Sequence, residues 1–260
     1  MILVDCHCHL DLMDDAEEAV RRAEDAGVRA IISNGGNAAS NHKTLELARS
    51  HSIVKPALGL YPVDILERAE DDGGYPFTNE EKDIDQQLRM IEDSIKDIVA
   101  IGEVGLDYKH AEEEEDKEKQ RSVFRRVIDL AIKHRKPLIV HSRKAEADCI
   151  RMLDDVPKHL VVMHCFSGKK RLLMEGIGKG WMFTVPTNVV RSQQFQTMVE
   201  LLPLSQLLTE TDAPFLSPFR DTPNEPAFIR ESIREIARIK QMEENEVANI
   251  IYMNYQRTFM

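Results

Sequence analysis

The sequence has few features of secreted or membrane proteins. No apolar run reaches the roughly 18 residues that a spanning helix needs, and the N-terminus lacks the basic and apolar segments of a signal peptide. The four cysteines, Cys6, Cys8, Cys149 and Cys165, form no CxxC pair, which argues against a disulfide framework. We therefore predict a soluble, cytoplasmic protein without membrane association, whose cysteines act as small buried hydrophobic residues.

Nucleotide-binding signatures and domain linkers are also missing. Neither GxGxxG nor GxxxxGK[ST] follows the first predicted strand, and we find no internal repeat or low-complexity segment. The 260 residues, 42% of them hydrophobic, are enough for one large domain spanning residues 1–260. The net charge of −11 argues against nucleic-acid binding over the whole surface, but it leaves room for a local basic rim.

Short apolar β-type runs alternate with amphipathic helical stretches along the whole chain. The clearest helices are predicted at 115–134, after Pro226, and from 243 to about 256, with an extended loop and helix in the interval 61–96. This alternation predicts an α/β protein with a (β/α)8 barrel, and an open doubly wound sheet is the alternative. The predicted strands are 2–5, 30–33, 54–58, 98–101, 137–140, 160–163, 181–184 and 206–209.

The segment DCHCH at residues 5–9 places two histidines one residue apart at the end of the first predicted strand. Because side chains alternate across a strand, His7 and His9 point to the same side, and Cys6 and Cys8 point to the other. Two converging imidazoles are half of a metal site. The alternative is that both histidines only form structural hydrogen bonds.

Four further strand ends carry ionisable residues, namely Glu103, His141, His164 and Asp212. Each has a structural alternative, and Asp212 for example could cap the next helix. In a barrel, however, the carboxyl ends of the strands share one face. Burying so many ionisable groups costs several kcal/mol unless they are compensated, and a pair of divalent cations would compensate them.

The motifs at these strand ends resemble those of the TatD-type metal-dependent deoxyribonucleases. The motifs are DxHxH, GExGLDY, PLIVHSR, HCFSG and TETDAP, and the closing segment NYQRTF is also similar. The resemblance covers essentially the whole chain. It implies a metal-dependent barrel hydrolase that cleaves DNA phosphodiester bonds, acting on single-stranded DNA or on 3′ or 5′ ends.

The resemblance also implies a ligand set for two divalent ions, which would be Mg²⁺, Mn²⁺ or Zn²⁺. One ion would be held by His7, His9, Glu103 and Asp212. The other would be held by Glu103, His141 and His164, with Glu103 as the bridge. Asp212 would in addition accept the proton of the attacking water, so that Asp212 and Glu103 are the expected catalytic residues.

Two segments depart from the family pattern where substrate is expected to bind. Tyr61 in GLYP replaces the usual histidine of a GxHP segment, and residues 184–188 lack the expected glycine-containing loop. A tyrosine hydroxyl can still hydrogen-bond phosphate, but it is a poor cation near pH 7. Among the basic residues that follow the strands, Arg143 is the best candidate for a phosphate contact.

Three functions remain open from the sequence. The first is a two-metal deoxyribonuclease. The second is a binuclear amidohydrolase that acts on a small amide, lactone or nucleobase, although many of those enzymes bridge their metals with a carboxylated lysine where this chain has Glu103. The third is a barrel that binds a partner without catalysis, and the seven ligand positions, with Glu103 counted once for each ion, argue against it.

Overall fold

The computed structural model describes residues 1–66 and 83–260 of the chain. Eight parallel strands form one sheet in which each strand pairs with the next along the chain, so the sheet curls into a nearly closed barrel. The predicted (β/α)8 architecture is confirmed. The strands are β1 Leu3–Cys8, β2 Val28–Asn34, β3 Val54–Leu58, β4 Ala100–Gly105, β5 Leu138–His141, β6 Val161–Met163, β7 Met182–Pro186 and β8 Leu207–Glu210.

Helices surround the barrel, and the predicted ones are present with small differences in their bounds. They are α1 Ala16–Asp25, α2 Ala38–Ser50, α3 Ile84–Asp93, α4 Glu114–His134, α5 Glu146–Met152, α6 Lys170–Lys179, α7 Gln193–Leu201, α8 Arg230–Lys240 and α9 Glu244–Phe259. The segment after Asn224 begins as a 3-10 turn, Pro226–Ile229, before it becomes α8. The predicted loop at 71–74 lies outside the described residues. In the two described parts of the chain, no helix is long and apolar enough to cross a membrane.

The periodicity of α4 shows how the helices attach to the sheet. Phe124, Val127, Ile128 and Ala131 are spaced three or four residues apart and are all buried, while Lys133 and His134 lie in the last turn, where cations favour the helix dipole. The strands are buried on both faces, as is usual for a parallel sheet covered by helices. These buried faces form one continuous hydrophobic core.

The predicted ends of two strands were wrong in a way that matters for the site. β1 continues to Cys8 instead of ending at residue 5, and β4 continues to Gly105 instead of ending at residue 101. Their polar composition suggested loops, but Cys8 pairs with Ser33 of β2, and Gly105 pairs with His141 of β5. His7 and Glu103 therefore lie on strands, whose backbone hydrogen bonds restrict where their side chains can point.

Hydrogen bonds between the first and last strands bring the two ends of the sheet together. The backbone N–H of Asp212 donates to the carbonyl of His7 at 2.9 Å, and the N–H of His9 donates to the carbonyl of Ala213 at 2.8 Å. The hydroxyl of Thr209 donates to the carbonyl of Val4 at 2.8 Å. This contact places the segment after β8 directly beside the two histidines of β1.

Candidate metal centre

His7 and His9 converge at the carboxyl end of β1. Their Nε2 atoms lie 3.1 Å apart, which confirms that the two side chains share one side of the strand. Both rings are buried. The second ring nitrogen of His9, Nδ1, lies 3.0 Å from the carbonyl oxygen of Asn34 at the end of β2, so this backbone contact orients the ring.

Glu103 lies between two pairs of histidines and directs one carboxylate oxygen at each. Its Oε2 is 3.4 Å from Nε2 of His9 and 3.7 Å from Nε2 of His7. Its Oε1 is 2.7 Å from Nδ1 of His141 and 3.6 Å from Nε2 of His164. A carboxylate in this position can contact two cations at once.

Asp212 completes the group around the first pair. Its Oδ1 lies 3.4 Å from Nε2 of both His7 and His9. Two imidazole nitrogens, this oxygen and Oε2 of Glu103 thus surround one small space, and mixed nitrogen and oxygen donors suit Zn²⁺ or Mn²⁺. Asp212 does not begin a described helix, so the helix-cap alternative for it finds no support.

Among the described residues there are three groups of candidate ligands. Within each group, the ligand atoms lie within 4.8 Å of one another. One of them, Glu103–His141–His164, matches a ligand set expected from the sequence, and His7–His9–Glu103 contains three of the four ligands expected for the other ion. The third group is His7–His164–Glu210. The rings of His7 and His164 stack, with centroids 3.7 Å apart, which holds the two triads against each other. The structure therefore brings all six predicted ligands together.

Charges in the cluster compensate one another strongly. Burial would raise the pKa of Glu103, but hydrogen bonds from His141 and His9 outweigh it and hold the pKa well below its usual value. Burial would lower the pKa of His141, but hydrogen bonds to Asp107 and Glu103 raise it to about 10. Asp212 likewise has a lowered pKa, because hydrogen bonds from His7 and His9 outweigh its burial. The carboxylates are therefore ionised at neutral pH, and His141 has to release its proton when a cation binds.

Sequence reasoning assigned no role to Asp107 and Glu210, yet both contact the cluster. Oδ2 of Asp107 lies 2.9 Å from Nε2 of His141, and Oε2 of Glu210 lies 2.7 Å from Nδ1 of His164. A signal for Glu210 was present, because it precedes Asp212 by two positions at the end of β8. Asp107 lies past the end of β4, and no periodicity points to it.

A cavity of about 380 Å³ opens above the cluster. Tyr61 lines it, and its ring meets the ring of His141 edge to face at a centroid distance of 5.2 Å. Burial and the nearby Glu103 hold the pKa of Tyr61 well above its usual value, so the hydroxyl remains protonated. The remaining cavity wall includes Lys109, Ser142, Ser167, Phe215 and Leu216.

The basic residues near the barrel mouth differ in what they contact. Arg143 is exposed and lines the cavity, and its guanidinium forms no hydrogen bond or ion pair with the described residues. Arg191 instead donates to the carbonyl of Ser217 at 2.6 Å, and Arg171 pairs with Glu175 on α6. Arg143 is thus placed to meet a ligand, whereas Arg191 holds a loop.

A parallel barrel with imidazole and carboxylate donors at the carboxyl ends of its strands defines the class of metal-dependent barrel hydrolases. A sequence model of the family described as TatD related DNase matches residues 4–260. The chain therefore belongs to the TatD-related DNase family.

Individual relatives are consistent with that membership. The human protein named deoxyribonuclease TATDN3 is 36% identical over 263 residues, covering 99% of this chain and 94% of that protein. A protein of Methanocaldococcus jannaschii described as an uncharacterized metal-dependent hydrolase is 34% identical over 262 residues, covering 98% of this chain and 96% of its own length. The crystal structure of a TatD homologue from Escherichia coli K12 superposes with a TM-score of 0.84 at 28% identity, over 99% of this chain and 97% of that one.

Proposed function

We propose that this protein is a divalent-metal-dependent deoxyribonuclease that hydrolyses phosphodiester bonds at the ends of single-stranded DNA. The observation that carries the proposal is the position of Glu103, whose two oxygens each approach a different pair of histidines. A relative that is 36% identical is named a deoxyribonuclease, which supports DNA as the substrate class.

Two groups of candidate ligand atoms that share Glu103 support a centre for two ions. His7, His9, Glu103 and Asp212 would hold the first, and Glu103, His141 and His164 the second. When bound, such a pair lowers the pKa of a coordinated water and neutralises the charge that develops on the phosphodiester.

The remaining chemistry belongs to the protein. Asp212 is ionised, so its carboxylate can orient the attacking water and accept its proton. Arg143 lies at the cavity wall, where its guanidinium would contact a phosphate oxygen. Tyr61 keeps its proton, so its hydroxyl would donate a hydrogen bond to the phosphate or to the leaving oxygen.

The preference for single-stranded ends rests on the shape and charge of the barrel mouth. A cavity of about 380 Å³ is small compared with a duplex and suits a terminal nucleotide. The first turn of α4 carries Glu114, Glu115 and Asp116, which repel a second strand on that side. A net charge of −11 adds to this repulsion.

A comparison of linear and circular DNA tests the proposal directly. A linear single-stranded oligonucleotide, labelled at either end, and a circular one of the same sequence are incubated with metal-free protein and added Mg²⁺, Mn²⁺ or Zn²⁺. We expect stepwise release of nucleotides from the linear substrate only, and none from the Glu103→Ala protein. Equal cleavage of the circle would contradict the preference for ends.

The same preparation is assayed with a panel of lactones and amides. Turnover of that panel without DNA cleavage would replace the proposal by the amidohydrolase alternative. Metal binding without turnover of any substrate would favour the non-catalytic barrel.

A further inference from the structure

Two of the six candidate ligands, His141 and His164, contact Glu103 through one ring nitrogen and a second buried carboxylate through the other. Nε2 of His141 lies 2.9 Å from Oδ2 of Asp107, and Nδ1 of His164 lies 2.7 Å from Oε2 of Glu210. Both carboxylate side chains are fully buried. A buried carboxylate is costly without partners, so each of these contacts restricts its ring.

The two rings present opposite nitrogens to Glu103. His141 approaches Oε1 of Glu103 with Nδ1, at 2.7 Å, whereas His164 approaches it with Nε2, at 3.6 Å. A histidine binds a cation through a nitrogen that carries no proton, and the proton then sits on the other nitrogen. Asp107 and Glu210 lie at that other nitrogen in each ring, where they accept the N–H.

Each carboxylate is itself held by the backbone through its second oxygen. Oδ1 of Asp107 accepts hydrogen bonds from the backbone N–H groups of Lys109 and His110, at 2.9 and 3.2 Å. Oε1 of Glu210 accepts a hydrogen bond from the backbone N–H of Cys165, at 3.0 Å. One oxygen thus fixes the carboxylate, and the other is left for the histidine.

A buried side chain extends this support toward the substrate cavity. Oε1 of Gln120 on α4 accepts a hydrogen bond from the backbone N–H of Asp107, at 2.9 Å. Its Nε2 donates to the carbonyl of Pro62, at 2.9 Å, directly after Tyr61. The position of Asp107 is therefore tied both to the helix layer and to the loop that carries Tyr61.

The histidines of β1 are supported differently. Nδ1 of His9 meets a neutral backbone carbonyl, that of Asn34. Nδ1 of His7 is buried and has no hydrogen-bond partner among the described residues. Among the described residues, the carboxylates Asp107 and Glu210 contact the second ring nitrogens of His141 and His164.

We propose that Asp107 and Glu210 are positioning residues that determine which ring nitrogen of His141 and of His164 is available to the second cation. This inference rests on the proposed two-ion centre. Loss of such outer contacts typically weakens metal binding by about 10–100-fold. The effect is expected only for the ion bound by His141 and His164.

The test uses near-isosteric variants, Asp107→Asn and Glu210→Gln, with Asp148→Asn as a matched control. Asp148 is a carboxylate on α5 that contacts Tyr108 and Arg151 and none of the candidate ligands. Zinc affinities are measured by chelator competition, and the melting temperature of each metal-free protein confirms that it is folded. Nitrogen-15 NMR of the histidine rings shows which nitrogen binds zinc.

In the wild type we expect two zinc ions, with His141 bound through Nδ1 and His164 through Nε2. Each variant should lose 10–100-fold in affinity for one ion and show mixed ring signals for its own histidine. The ring signals of His7 and His9 and the affinity for the other ion should stay at their wild-type values. The Asp148→Asn protein should behave like the wild type in every measurement. If Asp107→Asn fails to fold, it is replaced by Gln120→Met, which removes the hydrogen bond to the backbone of Asp107 and in which we expect the same loss.

Wild-type affinities and ring signals in the variants would overturn the inference, and so would an equal loss at both ions. A wild-type protein that binds two ions but leaves DNA intact would refute the deoxyribonuclease proposal without affecting this one. A wild-type protein that binds a single ion would overturn the two-ion centre, and this inference with it, without bearing on DNA cleavage.

Discussion

The carboxyl group of Asp5 accepts two hydrogen bonds from Thr211, which lies 206 positions further along the chain. The backbone N–H of Thr211 donates to Oδ1 at 2.9 Å, and its hydroxyl donates to Oδ2. Asp5 is fully buried, and this burial raises its pKa to about 8 despite the hydrogen bonds. The pair joins β1 to the end of β8, and it places Asp212 beside His7.

Removal of the Thr211 hydroxyl should therefore destabilise the barrel. In Thr211→Val the buried Asp5 loses one partner, which typically costs about 1–3 kcal/mol in the free energy of unfolding. For a chain of this size, the melting temperature should fall by roughly 2–4 °C per kcal/mol. Thr222→Val, at an exposed position of the following loop, is the control and should melt like the wild type. An unchanged melting temperature in Thr211→Val would show that Asp5 and Thr211 do not help to close the barrel.

Glu103→Ala should weaken metal binding and abolish turnover. Because the two Glu103 oxygens face different histidine pairs, the substitution removes one donor from each group. We expect fewer than two ions per chain by elemental analysis, and no DNA cleavage. Glu113→Ala, at an exposed position before α4, is the control. Two tightly bound ions and near wild-type activity in Glu103→Ala would show that Glu103 is not a bridge.

Asp212→Asn should affect chemistry more than folding. The backbone of Asp212 has a left-handed conformation, with φ of 57°, which asparagine also tolerates. The substitution removes the proton-accepting charge, so we expect kcat to fall by roughly 10²–10⁴-fold. The melting temperature should stay close to that of the wild type.

Asp221→Asn is a matched control for this change. Asp221 lies in the same long loop, is exposed, and has nearly the same backbone conformation, with φ of 58°. It should keep wild-type activity. Full activity in Asp212→Asn, measured on the same preparation as the melting curve, would rule out its role as the general base.

Arg143→Ala should weaken the productive interaction with DNA. A charge-assisted hydrogen bond to phosphate is worth about 1.5–3 kcal/mol, so kcat/KM should fall by roughly 10–150-fold. The slope of log kcat/KM against log salt should also become shallower by about 0.7, the value for one contact to a single strand. Arg171→Ala, which removes an arginine paired with Glu175, should change neither quantity. Identical kinetics and salt dependence in Arg143→Ala would exclude a phosphate contact there.

Much of the fold could be predicted from the sequence because the relevant signals are local. Apolar runs of strand length alternate with helical periodicity, as the buried face of α4 illustrates, and this alternation is enough to predict a parallel barrel. The strand-end positions of His141 and His164 then follow from chain order. The ends of β1 and β4 could not be predicted in this way, because their last residues are polar and their strand pairing depends on the neighbouring strands.

The sequence by itself determined which residues carry the chemistry and that they share one end of the barrel. The tertiary structure decided their mutual geometry, because β1, β4, β5, β6 and β8 meet only when the sheet curls. It also decided that Arg143 faces the cavity, whereas Arg191 binds a loop carbonyl. It also assigned Asp107 and Glu210 to particular ring nitrogens, since a hydrogen bond depends on distances of about 3 Å that no spacing along the chain encodes.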